Sequence, residues 1–172
     1  MNFLDTTVVI LFTDYINHVS CIDHLYSMGK NLSISKIVHE EYYNGNTLWL
    51  NNDFLKQYIH DEKIIIIEKD LTETIERLKR RYPNLHEGEL SVIALGILCQ
   101  KHATDYVCVI DEKIARKVAK QLKLNLTGSI GLISQIKNKN NWSENYLESV
   151  IRDIKNSPFF ISDEVLEALK NG

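Results

Sequence analysis

Five short apolar runs, each followed by a stretch of helical periodicity, constrain this chain more than any other feature. The runs are Asn2–Leu4, Leu32–Ile34, Lys63–Ile67, Tyr106–Ile110 and, more weakly, Leu124–Leu126. Their length and β-branched content mark them as strands. Between and after them, Leu71, Ile75, Leu78 and Tyr82 recur at helical spacing. So do Ile114, Val118 and Leu122, and then Tyr146, Leu147, Val150, Ile151 and Ile154, which predicts helices with one apolar face. From Glu89 to His102 the chain is apolar nearly all round, as expected of a helix buried on more than one side. Strands alternating with helices need crossover connections, and crossovers give a mostly parallel sheet covered on both faces. The expected architecture is a three-layer α/β/α fold around a mostly parallel, five-stranded sheet.

Helix starts are marked by Ser35, by Asp70 with Glu73 three residues on, by Ser143, and by Ser162 followed by Asp163 and Glu164. The segment from Asn44 to Asp61 reads only as an irregular helix, through Leu48, Trp49, Leu50, Phe54, Leu55 and Tyr58. At 172 residues the chain fits one domain (1–172), with a C-terminal helical extension from about residue 143. Seven Gly and two Pro leave little room for linkers. Three cysteines without short spacing, Cys21, Cys99 and Cys108, predict reduced thiols in a cytoplasmic protein. No apolar stretch approaches the roughly 20 residues a bilayer needs, so no membrane partner is expected. A net charge of −3 means that a polyanion would have to be held by a local basic surface or by bound metal.

Four acids stand where a strand ends or a helix begins: Asp5, Glu41, Glu89 and Asp111. Asp5 closes the first run and Asp111 closes the run from Tyr106, so both lie at carboxyl ends of strands, where open parallel sheets collect their ligands. Carboxylates brought together suit hard ions such as Mg²⁺ and Mn²⁺. An ion of that kind can generate hydroxide, neutralise phosphate oxygens and stabilise a departing oxyanion, so no nucleophilic side chain is required.

Each acid also has an ordinary structural role open to it. Asp111 could cap the helix after it, and Glu89 could serve the dipole of its own helix. Glu40 and Glu41 are neighbours, one of which must be solvated, and Glu87 competes with Glu89. Asp5 has no such cap role. Six histidines show no zinc-ligand spacing. Thr127-Gly128-Ser129-Ile130-Gly131 lacks the glycines of a phosphate loop and reads as a turn opening a helix. A nucleotide-binding α/β domain is therefore the weaker alternative. Basic residues gather at Arg77–Arg81 and at Lys113, Arg116, Lys117, Lys120 and Lys123. The first group reads as a solvated face. In the second, Lys113, Arg116 and Lys117 follow Asp111 directly and are candidates for contact with a polyanion backbone.

These segments resemble PIN-domain nucleases and, within them, VapC-like toxins. Asp5-Thr6-Thr7-Val8-Val9-Ile10 is similar to the family's opening Asp-Thr-Ser-Val-Leu-Ile, and Val38-His39-Glu40-Glu41-Tyr42 to its second-acid segment. Gly88-Glu89-Leu90-Ser91-Val92-Ile93-Ala94-Leu95 resembles Gly-Glu-x-x-Ala-Ile-Ala-Leu, and Val109-Ile110-Asp111-Glu112-Lys113-Ile114-Ala115-Arg116 the segment where two acids follow a strand. Departures fall at Glu112, where a second Asp is common, and at Glu89 in place of Asp. The resemblance implies a metal-dependent endoribonuclease, plausibly a toxin with a small antitoxin partner, acting on RNA and often as a homodimer. Asp5, Glu41, Glu89 and Asp111 would be catalytic. Mg²⁺ or Mn²⁺ would be held by Asp5, Glu89, Asp111 and Glu112, with Thr6 as an accessory hydroxyl. A catalytically weak PIN-like module that binds nucleic acid or scaffolds is the alternative.

Overall fold

β1 (Asn2–Leu4) is buried along its whole length, which a strand achieves only in the middle of a sheet covered on both faces. The structure, a computed structural model, describes residues 1–44 and 53–171. β1 pairs in parallel with β2 (Leu32–Ser35) on one side and β4 (Val107–Val109) on the other. β3 (Ile64–Ile67) extends the sheet beyond β2, and β5 (Leu126–Thr127) extends it beyond β4. The order is β3-β2-β1-β4-β5, with every pairing parallel. The chain runs outward from β1 to β3 and then returns to the far side of β1 at β4. Connections therefore diverge between β1 and β4, the switch point at which open parallel sheets collect ligands.

Among the described residues the strands alternate with ten α-helices: α1 (Thr6–Ile10), α2 (Cys21–Ser27), α3 (Lys36–Asn44), α4 (Phe54–His60), α5 (Thr72–Arg81), α6 (Glu87–Lys101), α7 (Lys113–Gln121), α8 (Ser129–Asn140), α9 (Glu144–Asn156) and α10 (Asp163–Asn171). The result is the expected three-layer α/β/α sandwich. α6 lies against β1, β2 and β4 with α3, α5 and α7 beside it. Its Leu90, Val92, Ile93, Ala94 and Leu95 are all buried, and side chains of that size contribute about 1.5–3 kcal/mol each to folding. The all-round apolar segment is thus the helix that closes one face of the sheet. A second group, α2, α8, α9 and α10, packs together through α8 and α10.

The five strands lie within a residue or two of their expected positions. Ser35 caps α3 by accepting from Val38 N–H at 3.0 Å, and Ser143 caps α9. Asp70 accepts from Thr72 N–H at 3.0 Å at the start of α5. The turn after Thr127 opens a helix, α8. Within the segment from Asn44 to Asp61, Phe54–His60 is regular α-helix capped by Asp53, while Leu48, Trp49 and Leu50 lie outside the described residues.

The helical segments between β1 and β2 left no signal in the periodicity. They include α2 and a π-helical turn over Leu11–Tyr15 that continues α1. In that turn the Thr13 hydroxyl donates to Val9 O at 2.9 Å, and a hydroxyl entering the helical ladder is a recognised source of such distortion. The three cysteines are free and buried, and no described helix is long and apolar enough to cross a membrane.

Candidate active site

Asp5 is the residue at which β1 stops and α1 begins. Its extended backbone (φ −78°, ψ 160°) ends the strand, and its carbonyl accepts from Val8 and Val9 N–H at 3.1 Å. The carboxyl is only 1% exposed. Its Oδ2 accepts the Thr7 hydroxyl at 3.2 Å. Burial and the neighbouring Glu89 push its pKa up to about 8, with Glu41 adding in the same direction. Among the described residues, the charges that act on it most are those of the two acids Glu89 and Glu41. A buried carboxylate without a cation is costly, so folding alone does not explain this acid.

Glu89 reaches the same place from α6. It is 5% exposed, and its Oε2 accepts from His86 N–H at 2.9 Å, the acidic half of a capping box. Burial first, then the charges of Glu112 and Glu41, hold its carboxyl above the usual range. The structural role expected of Glu89 and the functional one are therefore compatible: the cap fixes a carboxylate that also faces Asp5. Glu87, its competitor, is exposed and pairs with Lys79 at 2.6 Å.

Glu41 projects from α3 between the other two elements. Its Oε2 accepts the Thr6 hydroxyl at 2.6 Å, and its Oε1 accepts Gly88 N–H at 2.8 Å. Glu40, its neighbour, is exposed and stands 3.8 Å from Lys36, so of this pair Glu41 is the one turned inward.

Beyond β4 the two adjacent acids divide the work differently from expectation. The cap of α7 is Glu112, whose Oε2 accepts Ala115 N–H at 2.7 Å. Asp111 instead crosses to α8 and accepts Ser129 N–H at 2.8 Å. The buried Ser129 hydroxyl makes no hydrogen bond of good geometry, yet it lies close enough to help hold the Asp111 carboxyl down. Burial still raises Asp111 on balance, against Ser129 and the Arg116 charge. Gly128 is required at this approach, because a Cβ there would come within 2.7 Å of Asp111 Oδ1 and 2.8 Å of Arg116 Nη1.

Arg116, expected to face a polyanion, is turned into the sheet edge. Its Nη1 donates to Ile110 O at 2.6 Å and to Thr127 O at 2.9 Å, tying the ends of β4 and β5 together. Ile110 O lies just past β4, and Thr127 O, which also accepts Ile110 N–H at 3.1 Å, ends β5; both carbonyls lie within reach of the guanidinium, and bonds to them hold it inward. Lys113 and Lys117 remain exposed on α7. On the β3 side of the acids a cleft of roughly 670 Å³ opens, bounded by Ser35, Lys36, Glu40, Leu71, Lys79 and Glu87. Its lysines 36 and 79 are paired with glutamates 40 and 87, so its rim is not a basic surface.

The structure thus brings Asp5, Glu41 and Glu89 to one point, with Glu112 acting on Glu89 from α7 and Asp111 set beside Arg116. The donors are carboxylate oxygens, a set suited to Mg²⁺ or Mn²⁺. Among the described residues no three His, Cys, Asp or Glu side chains already stand in an ion-ligating arrangement. The helix caps hold Glu89 and Glu112 on separate elements. The two hydrogen bonds of Glu41 and the inward turn of Arg116 are not legible in the sequence; Gly88, directly before Glu89, is the one local sign of the first.

Comparison with known proteins agrees with this geometry. The DUF3368 family model, described as a PIN domain, matches residues 1–171. No curated protein and no solved structure matches the chain. With a family model spanning almost the whole chain, a parallel β3-β2-β1-β4-β5 sheet and acids gathered at its carboxyl edge, the chain belongs to the PIN-domain family, a nuclease fold.

Proposed function

We propose that the chain is a Mg²⁺- or Mn²⁺-dependent endoribonuclease whose site is the acid cluster at the carboxyl edge of β1 and β4. Asp5 carries this reading: it is fully buried, pushed up to about 8, and acted on most by the charges of two acids. Charge of one sign concentrated without compensation is what a cation site requires, and it is a cost that a purely structural residue would not keep. Asp5, Glu89, Asp111 and Glu112 would hold the ion, with the Thr6 hydroxyl close by. When bound, the ion supplies charge neutralisation at the phosphate and a lower pKa for attacking water.

The chain's own groups supply orientation. The Thr7 hydroxyl and the His86 N–H fix one oxygen each of Asp5 and Glu89. Arg116 holds the β4 and β5 ends on which Asp111 and Glu112 depend. Lys113 and Lys117 offer ammonium groups to the RNA backbone from the first two turns of α7. The finer reading, drawn from the resemblance, is a cytoplasmic toxin that acts as a homodimer and is restrained by a small antitoxin.

Purified protein with Mg²⁺ or Mn²⁺, tested against structured and single-stranded RNA beside Asp5→Asn, decides the matter. Wild type should cleave and Asp5→Asn should lose at least about a hundredfold in rate, the scale of removing one essential electrostatic group; equal cleavage by both sinks the assignment. One observation favours a second reading, a catalytically weak binding or scaffolding module: the acids are not pre-set in a ligating arrangement among the described residues. Saturating Mn²⁺ separates the two, since about 100 Kd of a ligand for the folded state adds about 2.7 kcal/mol of stability. A flat melting temperature favours the second reading.

A further inference from the structure

Glu41 differs from the other acids of the cluster in that both of its oxygens are engaged, and in what engages them. Oε2 accepts from Thr6, the residue immediately after Asp5, and Oε1 accepts from Gly88, the residue immediately before Glu89. Thr6, the first residue of α1, gives its hydroxyl, and Gly88, in the first turn of α6, gives its N–H; the carboxylate is tied to two elements at once and rests on the N-terminus of α6, where a negative charge is favoured. We propose that Glu41 is a positioning residue, a clamp from α3 that sets the Asp5 and Glu89 carboxyls against each other, and that residue 88 must be glycine for the clamp to close.

Gly88 bears on this independently. A Cβ at that position would overlap Glu41 Oε2 and lie 2.7 Å from Thr6 Oγ1 and 3.1 Å from Glu41 Cδ. Its backbone φ is not in the left-handed region, so the requirement is one of space, not of conformation. The space is occupied by the two atoms of the Thr6–Glu41 bond. Next in α3, Tyr42 donates to Asp14 of the π-helical turn at 3.2 Å. Adjacent residues of α3 thus bind the α1 segment at two places, and the Gly88 bond is the one that brings α6 into line.

The clamp rests on the reading of the cluster as an ion site only for its consequence, not for its existence. A ligand and a clamp respond differently to Glu41→Gln. The amide keeps an acceptor for Gly88 N–H and a polar partner for the Thr6 hydroxyl, but it loses the charge that an ion needs. The experiment compares Glu41→Gln, Glu41→Ala, Gly88→Ala and Asp5→Asn in the full chain, first without metal and then with Mn²⁺.

Without metal, amide hydrogen exchange at Gly88 should stay slow in wild type and Glu41→Gln and become fast in Glu41→Ala. Exchange that stays slow in Glu41→Ala overturns the clamp whatever the protein does with ions. With Mn²⁺, Glu41→Gln should keep affinity within about tenfold of wild type. Glu41→Ala and Gly88→Ala should lose about 10–100-fold, as outer groups that orient ligands do. If Glu41→Gln loses Mn²⁺ binding as completely as Asp5→Asn, Glu41 is a ligand and the proposal fails. If wild type itself gives no response to Mn²⁺, the ion-site reading falls while the exchange data still decide the clamp.

Discussion

Two acids close neighbouring strands of one sheet, and they live in opposite surroundings. Asp5, at the end of β1, is buried among Glu89 and Glu41 with two threonines for company. Asp111, beyond β4, is met by the Ser129 N–H and the Arg116 guanidinium. On the β4 side Ser129 and the Arg116 charge oppose the effect of burial on Asp111 without overcoming it, and the two carbonyl bonds of Arg116 help hold the sheet edge together. The β1 side is held only by hydrogen bonds that orient charges toward one another. The contrast is one of partners: Asp111 has an N–H donor and a positive charge near it, whereas Asp5 has two acids and a hydroxyl donor.

The comparison is broken most directly by removing Arg116. Arg116→Met should cost about 2 kcal/mol in denaturant unfolding, because two charge-assisted bonds disappear, Ile110 O loses this donor while Thr127 O keeps the Ile110 N–H, and a positive charge near Asp111 is removed. A change below about 0.5 kcal/mol would mean that water replaces the guanidinium freely, and that Arg116 does not hold the sheet edge.

Removing the charge at Asp5 should act in the opposite direction. Unfolded, this acid titrates near 3.8, and folded, at about 8. Between those values the folded chain holds a proton that the unfolded chain has lost. Its contribution to stability is complete below pH 4 and drains away as pH rises toward 8, by up to about 1.4 kcal/mol per unit. Metal-free wild type should therefore melt lower at pH 8 than at pH 5, and Asp5→Asn should flatten that slope and melt higher than wild type at pH 8. Saturating Mn²⁺ should reverse the slope, since an ion takes the deprotonated carboxylate. A melting temperature indifferent to pH in both proteins would remove the electrostatic distinction between the two strand ends.

The smallest effect on stability should come from the exposed lysines outside both environments. Lys113→Glu with Lys117→Glu should leave unfolding within about 0.5 kcal/mol of wild type. It should weaken RNA binding and lower the salt dependence of that binding by roughly 0.7 for each single-strand phosphate that is no longer neutralised. Unchanged RNA affinity would move the substrate path off α7.

Which parts of the molecule are legible in the sequence follows from the range of the forces involved. Strand and helix positions rest on periodicity within a dozen residues, so β1 to β5, α5, α6, α7 and α9 could be read directly. α2 has only Cys21, Ile22 and Leu25 on its buried face, too short a pattern to register. The π-helical turn goes with a single inward hydroxyl, Thr13, of a kind that helices also carry outward. At the site, the acids could be named but not ranked. Asp111 and Glu112 are neighbours in the chain and each could cap a helix; that Glu112 caps α7 while Asp111 reaches α8 follows from where α8 docks, far along the chain. Arg116 looked like one more cation of an amphipathic helix, and only its bonds to Ile110 O and Thr127 O hold it inward.

By itself the sequence determined that this chain forms a covered parallel sheet with carboxylates at its carboxyl edge, because hydrophobic periodicity and strand ends are local properties. The tertiary structure decided which carboxylates meet, which is bonded to two helices at once and which lies near an arginine. Those outcomes depend on a few ångströms between elements that are 35 to 47 residues apart in sequence, and no local pattern records such a distance.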